Sequence, residues 1–387
     1  MAVRIGAGLS TELDPREGAM AAAAQAAAGL DGGVCELALV FASGAHLAAP
    51  EATLEGVHEA LSPAALVGCG AGGVLGRGRE VEDGTAVSVL ALAMEAGRAE
   101  PFHASARPVD DGLVVEGLPP LAGADGVVLV SDPYSFPTDA ILADLHKRAP
   151  GVPVMGGVSS ARTLDGAGAL FYGDEIAEEG AVGLRLEGVE TLPCVSQGAA
   201  PIGPEMEITA ADGHVLAELG GRPALERLRE VIVGLDEHDR AMIGGGLLVG
   251  LAVEVDTPDH PRPDFLVRSL LGADPKAGTV AMGARVRPGQ KIRLHARDAA
   301  SADEDLRQAL CLRREALGGR APAGVLVFTC NGRGTQMFGE PDHDASLLER
   351  ELAGAPTAGF FAAGEIGPVG GENFLHGFTA TMAIFAP

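Results

Sequence analysis

The chain has 387 residues, of which 47% are hydrophobic, 4% are aromatic and 56 are glycine. That length predicts two or three domains, and the hydrophobic content is enough for a sizeable core, which excludes wholesale disorder. The formal net charge is −25, from 28 basic and 53 acidic residues. Because phosphate binding needs clustered Lys and Arg, this balance argues against a protein that binds nucleic acid or an anionic membrane.

The cysteines and the N-terminus indicate a compartment. Five scattered cysteines show no CxxC pairing, which fits a reducing environment and gives no disulfide framework or structural zinc. The N-terminus lacks the basic region and apolar stretch of a signal peptide. Its blandest run, residues 19–30, is far shorter than the ~20 residues that span a bilayer, and is predicted as a helix that begins after Asp14 and Pro15 and ends at Gly29. We expect a cytoplasmic protein.

An internal repeat organises most of the chain. Each copy reads as an apolar strand, a polar turn, a helix, a short strand running into glycine, a glycine-rich stretch and a closing strand. In the first copy the opening strand, helix, second strand and closing strand lie at 37–41, 51–61, 66–70 and 85–92. In the second copy the same elements lie at 126–130, 139–149, 154–157 and 181–186. In the third copy they lie at 324–328, 344–352, 358–361 and 377–385.

The opening strands are continuous apolar runs, as expected of strands covered on both faces. Each copy therefore predicts a right-handed parallel β-α-β crossover, followed by a closing strand that the short connection allows to be antiparallel. The predicted fold class is α/β, with mixed β-sheets covered by helices and built from repeated β-α-β-β units in two halves. We expect domains at 1–197 and 198–387.

The segment between the second and third copies has a different pattern. We predict a hairpin formed by 279–286 and 291–295, and a helix at 301–317 with Ser301 as its N-cap and Glu304 completing a capping box. The remaining predictions are a linker at 201–204, a strand and turn at 207–214, a helix at 223–233, a strand at 244–255 and a proline-rich loop at 257–263.

Three glycine-rich stretches, 68–78, 156–162 and 364–371, stand at equivalent places just after a strand. Glycines let a ligand approach backbone N–H groups, and the carboxyl ends of strands in α/β sheets face ligand crevices. None of the three is a phosphate-binding loop with Gly-Lys-Ser/Thr, and none has the strand–GxGxxG–helix context of a dinucleotide site. The alternative interpretation is that they are only tight turns.

Few side chains near these stretches are charged, nucleophilic or able to bind a ligand. Arg333 lies between two glycines and either clamps a ligand carboxylate or phosphate or is a surface arginine. Cys330 beside it is either a reactive thiolate or a small buried residue. Glu365 and His376 form an acid–base pair, or each is structural.

The ten histidines show no HExxH spacing, so metal catalysis is unsupported and no cofactor is predicted. Single-histidine ligation of haem stays open, since it needs only one residue. The formally eligible side chains are His46, His58, His103, His146, His214, His238 and His376.

The C-terminal run GFFAAGEIGPVGGENFLHGFTA at 359–380 resembles the signature of the FIST proteins, named for F-box and intracellular signal transduction proteins. CNGRG at 330–334 and EITAADGHVLAELGGRPA at 207–224 are similar to further elements of the C-terminal FIST domain. GCGAGG at 68–73 and the glycine pair at 156–157 are similar to the N-terminal domain. One departure is that residues 72–74 read Gly-Gly-Val where the family often has Gly-Glu-Ile, so the acidic group occurs only in the third copy, as Glu365.

The resemblance implies a sensory role, in which a small ligand, proposed to include amino acids or their derivatives, is bound and the signal passes to a separate protein such as a kinase. One branch of the family is linked to haem and nitric oxide. The competing hypotheses are an enzyme that uses Cys69, Cys330 or the Glu365–His376 pair, and a haem-binding gas sensor. Between the two halves we expect a small-ligand site formed by Cys69, Gly70, Gly72, Gly156, Gly157, Arg162, Asn331, Arg333, Glu365, Asn373 and His376.

Overall fold

The computed structural model describes residues 3–109, 112–253 and 264–387, so the proline-rich loop predicted at 257–263 and the end of the strand predicted at 244–255 lie outside the described residues. The chain divides into two compact units. The first comprises Met1–Ser196, Leu306–Leu375 and Thr379–Pro387, and the second comprises Gln197–Asp305 and His376–Phe378. All three repeats thus belong largely to the first unit, while the expected domain boundary at 197 and 198 stays a prediction.

The first repeat is preceded by a strand that the sequence did not predict, and by the expected helix. Asp14 caps that helix by accepting hydrogen bonds from the backbone N–H groups of Arg16 and Glu17. The elements are β1 (Val3–Ser10), α1 (Pro15–Ala28), β2 (Leu37–Ser43), a 3₁₀ turn (Gly44–Leu47), α2 (Pro50–Leu61), β3 (Ala65–Gly70), β4 (Val74–Gly76), β5 (Arg79–Val81) and β6 (Ala86–Met94).

The second repeat has the same order, after two strands of its own. Its elements are β7 (Arg98–Val109), β8 (Gly112–Glu116), β9 (Gly126–Ser131), α3 (Thr138–Arg148), β10 (Val154–Val158), β11 (Leu170–Tyr172), β12 (Glu175–Ala177), β13 (Ala181–Glu187) and then β14 (Thr191–Gln197).

The second unit is an antiparallel β structure with two helices. Its elements are β15 (Ala199–Asp212), β16 (Val215–Leu219), β17 (Arg222–Pro223), α4 (Ala224–Gly234), α5 (Glu237–Met242), a 3₁₀ turn (Ile243–Gly245), β18 (Leu247–Val253), β19 (Asp264–Asp274), β20 (Thr279–Met282) and β21 (Lys291–Arg297). The sheet order is β15-β21-β18-β19-β20-β16-β17, and β15 also pairs with β16, so six strands close into a barrel.

Two predictions for this unit are wrong. Residues 201–204 are not a linker, because they lie within β15, where the register with β21 shifts between Ile202 and Glu205. The predicted hairpin does not form, since β20 pairs with β19 and β16, whereas β21 pairs with β15 and β18. Partners in a barrel are set by closure, and a turn sequence between two strands does not reveal it.

The third repeat follows the barrel. Its first helix begins two residues earlier than predicted. The capping position predicted for Ser301 is taken by Asp298, whose carboxylate accepts a hydrogen bond from the Ser301 backbone N–H at 2.8 Å. The elements are α6 (Ala299–Ala316), β22 (Gly324–Cys330), α7 (Thr335–Phe338), α8 (His343–Glu351), β23 (Thr357–Ala362), β24 (Glu365–Val369), β25 (Glu372–His376) and β26 (Thr379–Phe385).

The strand directions confirm the repeat. In each copy the opening strand is parallel to the strand after the helix, in the pairs β2–β3, β9–β10 and β22–β23. The closing strand is antiparallel to the opening strand, in the pairs β6–β2, β13–β9 and β26–β22. The fold is therefore α/β with mixed sheets, as the sequence predicts.

The segment before each closing strand contains a hairpin that the sequence did not show. In each copy this two-stranded hairpin joins the sheet of a different copy. The hairpin β4–β5 pairs with β23 of the third repeat, β24–β25 pairs with β10 of the second, and β11–β12 pairs with β3 of the first. This cyclic exchange ties the three repeats into one unit.

The inner faces of the three sheets share one hydrophobic core, in which Phe360 packs against Phe41 and Phe328 at ring-centroid distances of 4.9 and 5.6 Å. The outer faces are covered by helices: α1 and α2 on the first sheet, α3 on the second, and α6 and α8 on the third. The opening strands are therefore buried on both faces, as their continuous apolar sequence indicates.

Candidate functional site

The three glycine-rich turns meet in the first unit at the carboxyl ends of β3, β10 and β23. Equivalent backbone hydrogen bonds mark each exchange: Gly70 N–H donates to Ala169 O at 2.7 Å, Val158 N–H to Gly364 O at 2.8 Å, and Phe361 N–H to Gly73 O at 3.0 Å. We call this region the junction. It brings together turns that are far apart in the sequence.

One set of glycines serves strand packing. A Cβ on Gly156 would lie 1.8 Å from the carbonyl oxygen of Leu129 on the adjacent strand. Gly68 and Gly359, the equivalent residues of the other repeats, face Val40 O and Val327 O at 1.8 and 2.0 Å in the same way. The repeated glycine therefore has a structural reason at this position, namely the close approach of two strands.

The other predicted glycines differ in how much space surrounds them. Added Cβ atoms on Gly70 and Gly157 would lie 2.9 and 3.0 Å from side chains of the packed junction. Gly72 is exposed, an added Cβ there would meet only Ser160 at 3.8 Å, an ordinary contact, and its backbone N–H donates to Ser160 Oγ at 2.9 Å. Of the candidate glycines, Gly72 leaves the most room for a ligand at the backbone.

Arg333 is buried and paired. Its Nε and Nη2 donate to the two carboxylate oxygens of Asp344 at 2.7 and 3.0 Å, and its guanidinium lies 5.2 Å from the ring centre of Phe338. Burial alone would raise the pKa of Asp344, but Arg333 and His343 hold it below its usual range. The pair lies where α8 begins, next to Thr329 Oγ1, which donates to Asp344 at 2.9 Å.

Glu365 is completely buried at the start of β24. Its Oε2 accepts hydrogen bonds from the backbone N–H and Oγ1 of Thr379 at 3.0 and 2.8 Å. Burial raises the pKa of Glu365 to about 8, although hydrogen bonds from Thr379 and Cys330 and the charge of Arg333 act in the opposite direction. At neutral pH this carboxyl is therefore mostly protonated.

A second buried carboxyl comes from the hairpin of the first repeat. Glu80 Oε1 accepts the backbone N–H of Ala345 in α8 at 2.9 Å. Burial and the nearby charge of Asp344 raise the pKa of Glu80 to about 7. The cluster thus sets the carboxyls of Glu80, Asp344 and Glu365 around one arginine, Arg333. Perturbed buried acids of this kind are typical of functional sites.

The exposed side of the cluster is the turn after β22. Asn331 is exposed, and its backbone N–H donates to Ala362 O at 3.0 Å. Cys330 is half-buried, and its sulfur accepts a hydrogen bond from the backbone N–H of Gly332 at 3.4 Å. A ligand approaching the cluster from this turn would meet Asn331 and Cys330 first.

The remaining predicted residues lie apart from this cluster. Arg162 donates to Asp132 at 2.9 Å and stacks on the exposed ring of Tyr134, with the guanidinium 4.5 Å from the ring centre. Cys69 is fully buried, and burial raises the pKa of its thiol well above the usual range.

Asn373 is used structurally, since it accepts from Val154 N–H and donates to Val152 O, both at 2.8 Å. Those contacts lie at the beginning of β10, roughly 13 Å of strand from its junction end. His376 belongs to the second unit, and its predicted pairing with Glu365 stays a prediction.

Three residues of the cluster are not predicted from the sequence: Glu80, Asp344 and Thr379. Asp344 stands 11 residues after Arg333, at the start of a predicted helix, which is a weak signal for an ion pair. Glu80 could not be predicted as part of the cluster, because its hydrogen-bond partner Ala345 is 265 residues away in sequence. Only the hairpin exchange brings it to α8.

The first repeat has an open pocket at the corresponding place. The segment after β2, the loop at 163–168 and residues at the end of the hairpin β11–β12 line a pocket of about 350 Å³. It is lined by residues that include Leu47, Glu51, Thr163, Asp165 and Ile176. In the third repeat, the corresponding hairpin β4–β5 is instead tied to the segment after β22 by Glu82 and Asp342, which bind Thr335 and Glu80 backbone N–H groups.

Neither a metal cluster nor a membrane span is found in the described parts of the chain. Within residues 3–109, 112–253 and 264–387, no group of three or more His, Cys, Asp or Glu side chains is placed to hold a metal ion. Over the same ranges, no helix is long and apolar enough to cross a membrane.

The fold and the cluster define an α/β repeat protein whose three copies exchange hairpins around a buried polar junction. The FIST N domain matches residues 36–222, and the FIST C domain matches residues 224–368. An uncharacterized protein of Mycobacterium tuberculosis is 43% identical over 384 residues, covering 99% of this chain and 100% of the relative. One of Mycobacterium bovis is 43% identical over 385 residues, covering 99% of each chain. The chain belongs to the FIST family, whose domains are recognised as sensory domains in signalling.

Proposed function

We propose that this chain is a cytoplasmic sensory protein that binds a small ligand with an amino group, an amino acid or a derivative, at the third-repeat side of the junction. Asn331, Arg333 and Glu365 form the centre of the site. The surrounding part of the site is formed by Cys69, Gly70, Gly72, Gly156 and Gly157. The signal passes to a separate protein such as a kinase.

The observation that carries the proposal is the imbalance of charge in the cluster. Arg333 is already paired with Asp344, and burial raises the pKa of Glu80 to about 7 and that of Glu365 to about 8, which favours the protonated forms of both carboxyls. A buried acid without a cation is costly to ionise. A ligand ammonium group would supply the missing positive charge and let Glu365 ionise. This supports a primary amine as the recognised group.

The role of Arg333 follows from its partner. Its two hydrogen bonds to Asp344 fix the turn after β22 against the start of α8. In the proposal Arg333 therefore positions the site and contributes positive charge toward a ligand carboxylate. Asn331 at the exposed turn adds a polar contact. Asn373 and His376 stay predictions from the sequence. The proposed site does not use Arg162, because this side chain pairs with Asp132 in the second repeat, apart from the cluster.

The experiment is a thermal-shift screen of the protein against the proteinogenic amino acids and their decarboxylated amines. We expect at least one compound with a primary amine to raise the melting temperature, since a ligand that binds only the folded state stabilises it by mass action. N-acetylation of the compound should abolish the shift. If no amine-containing compound stabilises the protein, the proposed ligand class is wrong.

Matched variants localise the binding. Asn331→Ala changes an exposed side chain and should weaken the shift without unfolding the protein. Arg162→Ala removes an arginine of the second repeat and should leave the shift intact. Loss of the shift in Arg162→Ala, together with an unchanged shift in Asn331→Ala, would move the site away from the third repeat.

A further inference from the structure

The second unit has a groove of about 680 Å³ between helix α4 and the turn that joins β19 to β20. Most of the residues that line it are apolar, and pockets of this size with such a lining are typical of small-molecule sites. The groove belongs to the second unit, whereas the junction belongs to the first. Its walls include Leu225, Arg229 and Val233 of the helix and Pro275, Lys276 and Ala277 of the turn.

Helix α4 presents apolar side chains outside the face that it buries. The buried residues of the helix are Ala224, Leu228 and Val231. Val233 is 76% exposed and Leu225 is half-buried, and both line the groove. A ligand with a hydrocarbon chain would remove these two side chains from water, which is favourable.

The opposite wall of the groove is held in place by backbone hydrogen bonds. The N–H groups of Lys276 and Ala277 donate to Asp274 Oδ1 at 2.8 and 3.2 Å. Gly278 N–H donates to Asp274 O at 2.8 Å, and Gly278 O accepts the N–H of Leu225 at 3.0 Å. Because the turn is tied to the first turn of α4, the groove is preformed and a ligand has little chain to order on binding.

The charged groups that line the groove leave an excess of positive charge. Glu226 and Glu230 both pair with Arg222, which lies 2.6 Å from Glu230. Arg229 and Lys276 form no ion pair with any acidic side chain in the part of the chain that the structure describes. The chain has 53 acidic and only 28 basic residues, so two cations free of an acid at one pocket favour an anionic ligand group.

We propose that this groove binds an aliphatic carboxylate of medium chain length. The hydrocarbon chain lies against Leu225 and Val233. The carboxylate pairs with Arg229 and Lys276. The proposal goes beyond amine binding and does not rest on it, because this ligand class has no amino group and the groove shares no residue with the junction.

The test is isothermal titration calorimetry of the full chain with octanoate and decanoate, each below its critical micelle concentration, and with octanol. We expect saturable binding of one octanoate per chain. Decanoate should bind on the order of tenfold more tightly, because it buries two more CH₂ groups. Octanol has the same chain without the charge and should bind at least about fivefold more weakly than octanoate. Absence of saturable binding of both carboxylates, or equal affinities for octanoate and octanol, would overturn the proposal.

Variants locate the ligand in the groove. Joint replacement Arg229→Ala and Lys276→Ala should weaken octanoate about tenfold and leave octanol unchanged. Val233→Glu changes an exposed side chain, so the fold should be kept, but it puts a negative charge beside the carboxylate and should abolish octanoate binding. Arg227→Ala is the matched control, since Arg227 lies on the same helix, pairs with Glu230 at 3.4 Å and does not line the groove.

Weakening of octanoate by Arg227→Ala as large as that by the double replacement would show a general loss of positive charge. Undiminished octanoate binding in both the double variant and Val233→Glu would place the carboxylate elsewhere. Either result contradicts the assignment of the groove.

A second copy of this chain is the competing occupant of the groove. Sedimentation velocity of the native protein and of Val233→Glu should give the same species, because a small carboxylate site needs no partner chain. If the native protein is a dimer that Val233→Glu converts to a monomer, and octanoate does not bind, then the groove is an interface between copies and the proposal is wrong.

Discussion

The second and third repeats share one scaffold but differ in their charges. At the end of the opening strand the second repeat has Ser131, whose hydroxyl lies 2.8 Å from Thr138, and the third has Thr329, which donates to Asp344. The arginine of the second repeat, Arg162, has a side chain that is 34% exposed, whereas that of Arg333 is 0% exposed. The same fold thus carries a solvated ion pair in one copy and a buried charge cluster in the other.

The repeats share their backbone arrangement, and the third copy differs from the second in the ionisable side chains that it carries. In the second copy Asp132 accepts backbone and hydroxyl hydrogen bonds from Tyr134 and Ser135 and fixes a turn. In the third copy that strand-end position is Cys330, and the carboxylate has moved to the helix as Asp344. Two further buried carboxyls, Glu80 and Glu365, surround it.

The largest expected effect separates the two ion pairs. Arg333→Met should lower the free energy of unfolding by about 3–5 kcal/mol, because Asp344 is left buried without its cation. Arg162→Met should cost about 1 kcal/mol or less, because its pair is partly solvated. Urea unfolding of both variants measures the difference, and equal losses would break the comparison.

The pH dependence of stability should have opposite signs in the two repeats. Glu365 has a folded pKa of about 8, above its unfolded value, so its contribution to stability is largest below the unfolded pKa and is lost as the pH rises toward 8. Glu365→Gln should remove a slope of up to about 1.4 kcal/mol per pH unit between about pH 5 and 8.

Asp132 should behave in the opposite way. Burial works to raise its pKa, but hydrogen bonds from Ser135 and Arg162 lower it overall. Its contribution is therefore present above the unfolded pKa and is lost on acidification. Unfolding curves of Asp132→Asn and Glu365→Gln across the pH range measure both signs, and parallel curves for the two variants would contradict them.

Substitution of the strand-packing glycine should destabilise the second and third repeats by similar amounts. Gly156→Ala and Gly359→Ala each place a Cβ within 2.0 Å of a carbonyl oxygen, at Leu129 and Val327, so each should cost about 1–3 kcal/mol. Gly72→Ala places a Cβ 3.8 Å from Ser160, an ordinary contact, and serves as the control with little change in stability. Thermal unfolding of the three variants checks this, and a loss confined to one of the two repeats would show that their frames differ.

The smallest expected effect compares the strand-end hydroxyls. Thr329→Val removes a hydrogen bond to the ionised Asp344, and Thr138→Val removes one between two neutral hydroxyls. Because hydrogen bonds to charged groups are stronger, the first change should cost about 1 kcal/mol more than the second. The difference is measured by denaturant unfolding, and a larger loss in Thr138→Val would count against a charged Asp344.

Periodicity in the sequence was enough to predict the repeats. Continuous apolar strands, helices of the right length and glycine at fixed places gave the three copies and the antiparallel closing strands. In the first closing strand, β6, side chains alternate between two apolar layers, since Leu90 packs in the shared core and Val89 packs under α1 and α2.

Strand pairing between distant parts of the chain could not be predicted from the sequence. The pairing of the exchanged hairpins, of β1 and of the barrel strands depends on strands that are distant in the chain. The same limit applies to the site, where Arg333 and Glu365 were found as polar residues beside glycines. Their partners Asp344, Thr379 and Glu80 came only from the fold, and Gly156 and Asn373 have packing and bridging roles that spacing does not reveal.

The central claim is that the buried acid of the third repeat recognises an amine. The most direct measurement is equilibrium dialysis of a stabilising amino acid against the native protein, Glu365→Gln and Arg162→Ala, below and above about pH 8. The account predicts that affinity rises with pH in the native protein and in Arg162→Ala, as Glu365 becomes easier to ionise, and that Glu365→Gln loses binding. Undiminished binding in a folded Glu365→Gln variant, with the same pH dependence, would contradict it.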